Sequence, residues 1–396
     1  MLETSCSSNS KEVKMNILVI ASWYKDSENP IAGSFIEEQA RMLQRRGHTI
    51  TVLHAFINGT FKDTLSGKKE LCSEENDCGI RTIRLSSNVY FPKIRALSYR
   101  RLCKKALKVV QNSISRYGNI DVIHSHAMFM AGVVANYVSG KTGIPYFHTE
   151  HTSGFVFLPE QYNSPDWRLA RKVYEQSARS FFVSEFAKDK ILAVCGFKTQ
   201  NVSVLHNVVN PVFFEVGECE KFRSFTFLTI GNFIPRKNFD KIIASWVEYI
   251  RSHTDDKLII VGDGPLKKEL ENAVKQLRLT DSVEIRPRQS RIETARLMRQ
   301  THVVVSASSI ETFGMTLAEA LACGIPVIAT DSGGVRDIVT STTGILIDDV
   351  SVADIANAMC AIRENYASFD SGALRKYAKS KFSEDVIYKQ LTKCYL

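Results

Sequence analysis

The chain has 396 residues, 44% of them hydrophobic, and a net charge of +9. That length exceeds what one core organises and predicts two domains, and the charge points to an anionic partner: a phosphate-bearing substrate, a membrane surface or nucleic acid. Nine cysteines scattered from Cys6 to Cys394 without a C-x-x-C pair argue against a zinc knuckle or a disulfide framework and fit a reducing cytosol, and no uninterrupted apolar run approaches the ~20 residues that span a membrane.

Residues 1–14 are polar and read as a disordered tail. Ile17 to Ala21 is a continuous apolar run, the pattern of a central parallel strand, and a helix is expected from about Ser34 to Arg46, ended by Gly47. The connection between them holds one glycine, Gly33, and no G-x-G-x-x-G, so a dinucleotide-dehydrogenase reading is weak. Thr49 to Leu53 reads as the second strand, and residues 57–80 as a hairpin or long loop. Between Pro92 and Lys108 come seven cations (Lys93, Arg95, Arg100, Arg101, Lys104, Lys105 and Lys108) and no acid, interleaved with apolar residues. This is the composition of a basic amphipathic helix. A solvated helix face fits it, and so does an anionic leaflet, where each cation adds roughly 1 kcal/mol.

Asp121 to His126 is a strand end with His124 and His126 on one face, and Ile144 to Thr152 is a strand running into a loop. His148, Glu150 and His151 could complete a metal site with that pair, but polar networks at strand ends are the simpler reading, and no metal is expected. Phe181 to Val183 is a strand, with Ser184 capping the helix after it. Val202 to Leu205 closes the first domain, and the chain crosses over near 207–222.

The second domain restarts the alternation with a strand from Phe225 to Ile230, a turn at Gly231, and a helix opened by Asn238 or Asp240. Arg236 and Lys237 lie in that junction, where charge and backbone N–H groups together suit a pyrophosphate. Leu258 to Val261 is a strand ending in Gly262-Asp263-Gly264-Pro265, and Val283 to Ile285 a short one followed by Arg286, Pro287 and Arg288. Gly344 to Ile347 is the last strand, before helices over about Val352–Tyr366 and Ser371–Tyr395.

The richest stretch is His302 to Thr330, in which two apolar runs flank a loop and a helix. Glu311 lies in the loop, Gly314 at the helix start and Glu319 inside the helix. A helix beginning at such a loop offers unpaired N–H groups and a positive dipole end to a diphosphate. Carboxylates accept from vicinal hydroxyls, so a glutamate on each side of that cradle suits a ligand with hydroxyls at both ends, as in a nucleoside diphosphate sugar. Two glutamates at arbitrary spacing would otherwise be a loop acid and a helix-surface acid.

ETFGMTLAEALACGIPVIATDSGGVRDIV resembles the E-x7-E signature of retaining glycosyltransferases of family 4, which have a GT-B fold; MNILVIASW, DVIHSH, TEHTS, GNFIPRKN and IIVGDGP extend the resemblance. It implies two Rossmann-like α/β domains of mostly parallel sheet with an interdomain cleft. Residues 15–207 would form the acceptor-side domain, 208–375 the donor-binding domain, and 376–396 a helix crossing back. The implied activity is transfer of a hexosyl group from a nucleotide sugar to a hydroxyl acceptor, a lipid-linked or polysaccharide glycan, without metal or other cofactor and without nucleic acid. His151, in the place of a T-x-H-T histidine, would address the acceptor, and Glu311 the sugar. Gly33, Gly231, Asn232, Arg236, Lys237, Phe313, Gly314, Met315, Thr316 and Glu319 would hold the donor, with Glu319 on the ribose. Lys237 matches the lysine of the family's G-R-x-x-x-x-K, but the arginine is here Asn232, with Arg236 as its candidate replacement. LHNVVNP (205–211) also departs from the family's Pro-Asn-Gly-Val-Asp type of turn. Because many relatives glycosylate lipid-linked acceptors from the cytoplasmic side, the cations of the basic segment are expected to bind membrane, with the protein cytoplasmic or peripheral on the inner face. The base, uridine or guanosine, stays open. So do two rivals: a nucleotide-sugar 2-epimerase of the same architecture, and a non-catalytic module that binds sugar nucleotide or membrane.

Overall fold

The computed structural model describes residues 13–58, 64–67, 69–89, 95–157, 160, 164–196 and 201–396. The expected tail (except Val13 and Lys14), part of the 57–80 segment and the candidate membrane residue Lys93 lie outside the described residues. Two compact units form: residues 1–148 with 176–178, and residues 149–175 with 179–396.

In the first unit the strands are β1 (Asn16–Ala21), β2 (Thr49–Asn58), β3 (Cys72–Asp77), β4 (Ile80–Asn88), β5 (Val122–His126) and β6 (Tyr146–Glu150), in the order β3-β4-β2-β1-β5-β6. β1 is parallel to β2 and β5, β2 is parallel to β4, and β3–β4 is an antiparallel hairpin. Ile17, Leu18, Val19 and Ile20 are all buried, as a strand covered on both faces requires. Helix α1 (Ser34–Arg45) starts at Gly33, whose φ is 65° and where a Cβ would lie 2.4 Å from the Trp23 carbonyl oxygen. Only glycine fits there.

Helix α2 (Arg95–Tyr117) carries the basic segment. Leu102, Ala106 and Val110, four apart, are buried along one stripe, and Arg100, Lys104 and Lys108 are exposed along another. Arg101 and Lys105 instead turn to Glu70, each 3.1 Å from its carboxylate, and Lys105 also donates to the Ser86 carbonyl at 2.5 Å. Burial would raise the Glu70 carboxyl, but hydrogen bonds from Arg101, the Asn88 N–H and Lys105 hold it at about 2.

In the second unit, β7 (Arg179–Phe182) pairs in parallel with β8 (Val202–Val204), and Ser184 caps helix α3 (Glu185–Cys195) by accepting from the Ala187 N–H at 3.1 Å. Six parallel strands follow: β9 (Thr226–Asn232), β10 (Lys257–Asp263), β11 (Val283–Arg286), β12 (Val303–Ser306), β13 (Val327–Thr330) and β14 (Gly344–Ile347), ordered β11-β10-β9-β12-β13-β14. Alternation along each strand divides the core in two. Leu228, Ile259, Val304 and Val327 face one cluster, and their neighbours Phe227, Leu258, Val303 and Ile328 face another around the fully buried Trp246. Gly231 belongs to β9 itself, and the turn falls after Asn232.

The expected helix over Ser371–Tyr395 is two helices, Ser371–Phe382 and Glu384–Tyr395, divided at Ser383, whose φ/ψ of −69/157° is extended. Ser383 followed by Glu384 and Asp385 is a helix-start pattern, with acids at the positive end of the new dipole.

Candidate functional site

Loops at the C-terminal ends of β9, β11, β12 and β13 bring most of the expected donor residues into the second unit. After β12 the chain runs through Glu311 to Gly314, whose φ of 106° favours glycine, and enters helix α4 (Met315–Ala322). Among the described residues no acceptor meets the N–H groups of Phe313, Gly314, Met315 or Thr316. The positive end of α4 is therefore open to an anion. Phe313 is buried against His206 and Phe382, with ring centroids 5.5 Å away in both cases, which sets the loop's height over the sheet.

Two strands of backbone clamp Glu311. Its N–H donates to the Ser332 carbonyl at 3.1 Å, and its own carbonyl accepts from the Gly334 N–H at 2.9 Å. A Cβ on Gly334 would lie 2.0 Å from the Thr312 carbonyl oxygen, so the approach of the two loops depends on glycine. The Glu311 side chain accepts a hydrogen bond from the Lys237 ammonium, both groups being mostly buried. Glu319 lies half-buried on α4.

Lys237 ends a short 3-10 turn, Pro235–Lys237, after which Asn238 in the left-handed region (φ 50°) starts the next helix. Its side chain runs past Gly231, where a built Cβ would lie 3.9 Å from Lys237 Cδ. Arg236 turns the other way, Nη1 standing 3.5 Å from Ser153 Oγ, and its carbonyl accepts from the Ser309 N–H at 2.9 Å. The Asn232 side chain accepts from Arg288 Nη2 at 2.8 Å.

His151 is 8% exposed and belongs to the same unit. Glu150 builds its loop: one carboxylate oxygen accepts from the His151 and Thr152 N–H groups at 2.9 and 2.8 Å, and the other from the Tyr174 hydroxyl at 2.7 Å. The Thr312 hydroxyl stands 3.5 Å from the His151 carbonyl oxygen, next to Glu311 in sequence. Gly33 lies in the first unit. Within that unit His124 and His126 stack at 4.6 Å, and His148 Nδ1 lies 2.9 Å from Ser125 Oγ. Among the described residues no group of three His, Cys, Asp or Glu could hold a metal ion.

Several contributors escape sequence reasoning: Ser153 and Arg288 as partners of Arg236 and Asn232, Glu150 as organiser of the histidine loop, and His206 under Phe313. Each contact joins residues distant in the chain or buried behind the motif. Glu150 alone had a local signal, a carboxylate just before two loop N–H groups.

Residues 32–213 match the model of Glycosyltransferase Family 4, and residues 220–381 that of Glycosyl transferases group 1. The uncharacterized glycosyltransferase MJ1178 of Methanocaldococcus jannaschii is 31% identical over 268 residues, which are 67% of this chain and 70% of that protein. A phosphatidylinositol N-acetylglucosaminyltransferase polypeptide of Homo sapiens is 23% identical over 339 residues, 84% of this chain and 65% of that one. Among solved structures, Anabaena Alr3699/HepE in complex with UDP has the same fold, with a TM-score of 0.72 at 18% identity over 96% of this chain and 99% of that chain. The two Rossmann-like units and these matches define a glycosyltransferase of GT-B fold. The chain belongs to glycosyltransferase family 4.

Proposed function

We propose that the protein transfers a hexosyl group from a nucleoside diphosphate sugar to a hydroxyl acceptor with retention at the anomeric carbon. The observation that carries this reading is the Lys237–Glu311 ion pair beside the open N–H groups of α4. A diphosphate seated on those N–H groups takes over Lys237 and releases Glu311 to accept from sugar hydroxyls. Negative charge grows on the leaving diphosphate in the transition state, so Lys237, Arg236 and the dipole of α4 stabilise that state more than the ground state. Glu319 holds the ribose and His151 the acceptor side. No second carboxylate is placed for double displacement, so departure and attack on one face, assisted by the leaving phosphate, is the route proposed, and no metal is required. The relatives' names support the substrates: HepE binds UDP, and the human relative is named for a phosphatidylinositol acceptor. For this chain we propose a lipid-linked or polysaccharide acceptor, reached from the cytoplasmic side by a protein that rests on an anionic leaflet.

Calorimetric titration of UDP and GDP into the wild type and Glu319→Ala tests the donor site; one nucleotide should bind, and the substitution should weaken it by about 1 to 3 kcal/mol, the loss of a charged acceptor. NMR of the product's anomeric centre then tests retention. Binding of neither nucleotide overturns the reading, as does inversion. Turnover of donor to an epimeric sugar without acceptor supports the epimerase instead.

A further inference from the structure

Three cations around the end of β9 are already engaged. Lys237 is closed on Glu311, Arg286 is held by Glu284 through two hydrogen bonds of 2.8 and 2.7 Å, and Arg236 points to Ser153. Arg288 differs. It lies in the exposed link between β11 and the Ser290–Glu293 capping box, and its partner among the described residues is the neutral Asn232 side chain at 2.8 Å, with no carboxylate. A guanidinium held by an amide is oriented, but its charge is not neutralised.

The anchor is rigid. Asn232 is the last residue of β9, in register with Asp263; the Phe233 N–H donates to the Asp263 carbonyl at 2.9 Å, and the Phe233 carbonyl accepts from the Leu266 N–H at 3.1 Å. At Gly264 a Cβ would meet the Phe233 oxygen and nitrogen at 2.7 and 2.8 Å, so that turn sits directly on the Asn232–Phe233 backbone. Lys237 passes Gly231 and Arg288 reaches Asn232, so two cationic side chains flank two consecutive residues at one strand end.

We propose that Arg288, positioned by Asn232, is the second diphosphate-binding cation of the donor site. The charge comes from the loop after β11 and is carried to the end of β9 by a side-chain amide. This rests on the donor-site reading above. Arg236, pointing to Ser153, is then left to the acceptor side of the loop.

The test measures affinity of the nucleoside diphosphate that binds the wild type, with its nucleoside as comparison, in Arg288→Ala, Asn232→Arg/Arg288→Ala and Lys237→Ala. Arg288→Ala should weaken the diphosphate by about tenfold or more and leave the nucleoside unchanged, the cost of one charge-assisted contact. The double variant, with its guanidinium on the neighbouring anchor, should recover most of the loss. Wild-type affinity in Arg288→Ala beside a loss in Lys237→Ala overturns this assignment while sparing the donor site. An equal loss for the nucleoside overturns it in favour of a contact to the base. Wild-type affinity in both single variants overturns the donor site itself. Arg288 is exposed, so unchanged thermal unfolding of its variant separates these outcomes from misfolding.

Discussion

The ammonium of Lys237 donates to the carboxylate of Glu311, joining the loop after β9 to the loop after β12. Donor binding has to exchange this internal pair for two external ones. Lys237→Ala should therefore weaken UDP or GDP binding by about 1.5 to 3 kcal/mol. Glu311→Ala, which frees the lysine, should tighten the bare nucleotide by up to about 1 kcal/mol while transfer falls at least about a hundredfold. Calorimetry beside a transfer assay reads both; weaker nucleotide binding in Glu311→Ala would refute the exchange.

If Lys237, Arg236 and the N–H groups of α4 carry the leaving-group charge, a divalent cation has no part in it. Transfer should keep its full rate in excess EDTA, and added Mg²⁺ or Mn²⁺ should change it less than about twofold. A rate that collapses in EDTA and returns with one metal would contradict this.

Acid should destabilise the first unit before its carboxylates titrate. Burial, with His148 nearby, pushes the His126 imidazole from its ordinary 6.5 down to about 3. The folded pKa is depressed, so the stability is complete above the unfolded value and is lost as pH falls from about 6.5 towards 3. By pH 5 this one group costs about 2 kcal/mol. Urea midpoints measured from pH 8 to 5 should fall, and His126→Gln should flatten the slope whatever it does to stability at pH 8.

Gly334 has no room for a methyl group, since the nearest atoms to a Cβ are backbone: the Thr312 oxygen and carbon at 2.0 and 2.3 Å and the Phe313 nitrogen at 2.7 Å. Gly334→Ala should cost about 2 to 3 kcal/mol in urea unfolding and lower transfer by displacing Glu311. A variant as stable as the wild type would show that the loops part freely.

On α2, pairing divides the cations into two sets. Replacing Arg100, Lys104 and Lys108 by glutamine should weaken binding to phosphatidylserine vesicles by about 3 kcal/mol with unchanged unfolding. Replacing Arg101 and Lys105, which hold Glu70, should instead lower stability. Equal vesicle binding by the wild type and the first variant would make this face a solvated one.

The alternation of strands and helices was legible because parallel strands buried on both faces are written as unbroken apolar runs, Ile17 to Ala21 and Leu258 to Val261 among them. Ser184 and Gly314 were legible too, because capping and a positive φ are local demands on single residues. Arg288 at Asn232 and Glu70 under Arg101 and Lys105 were not, since long charged side chains choose partners through space and period does not encode them. The break at Ser383 was missed because apolar periodicity resumes directly after it: Leu374, Ala378 and Phe382 are buried before it, Ile387 and Leu391 after it.

The clamp on Glu311 bears on how fast the site can answer. With its N–H on Ser332 and its carbonyl on Gly334, the residue cannot translate without opening both loops, yet nothing in that clamp restrains its side-chain torsions. Handing the carboxylate from Lys237 to a ligand is then a rotamer change, an event of picoseconds to nanoseconds for an accessible side chain. This step needs no gate, and its rate is set by how quickly a competing anion reaches the ammonium.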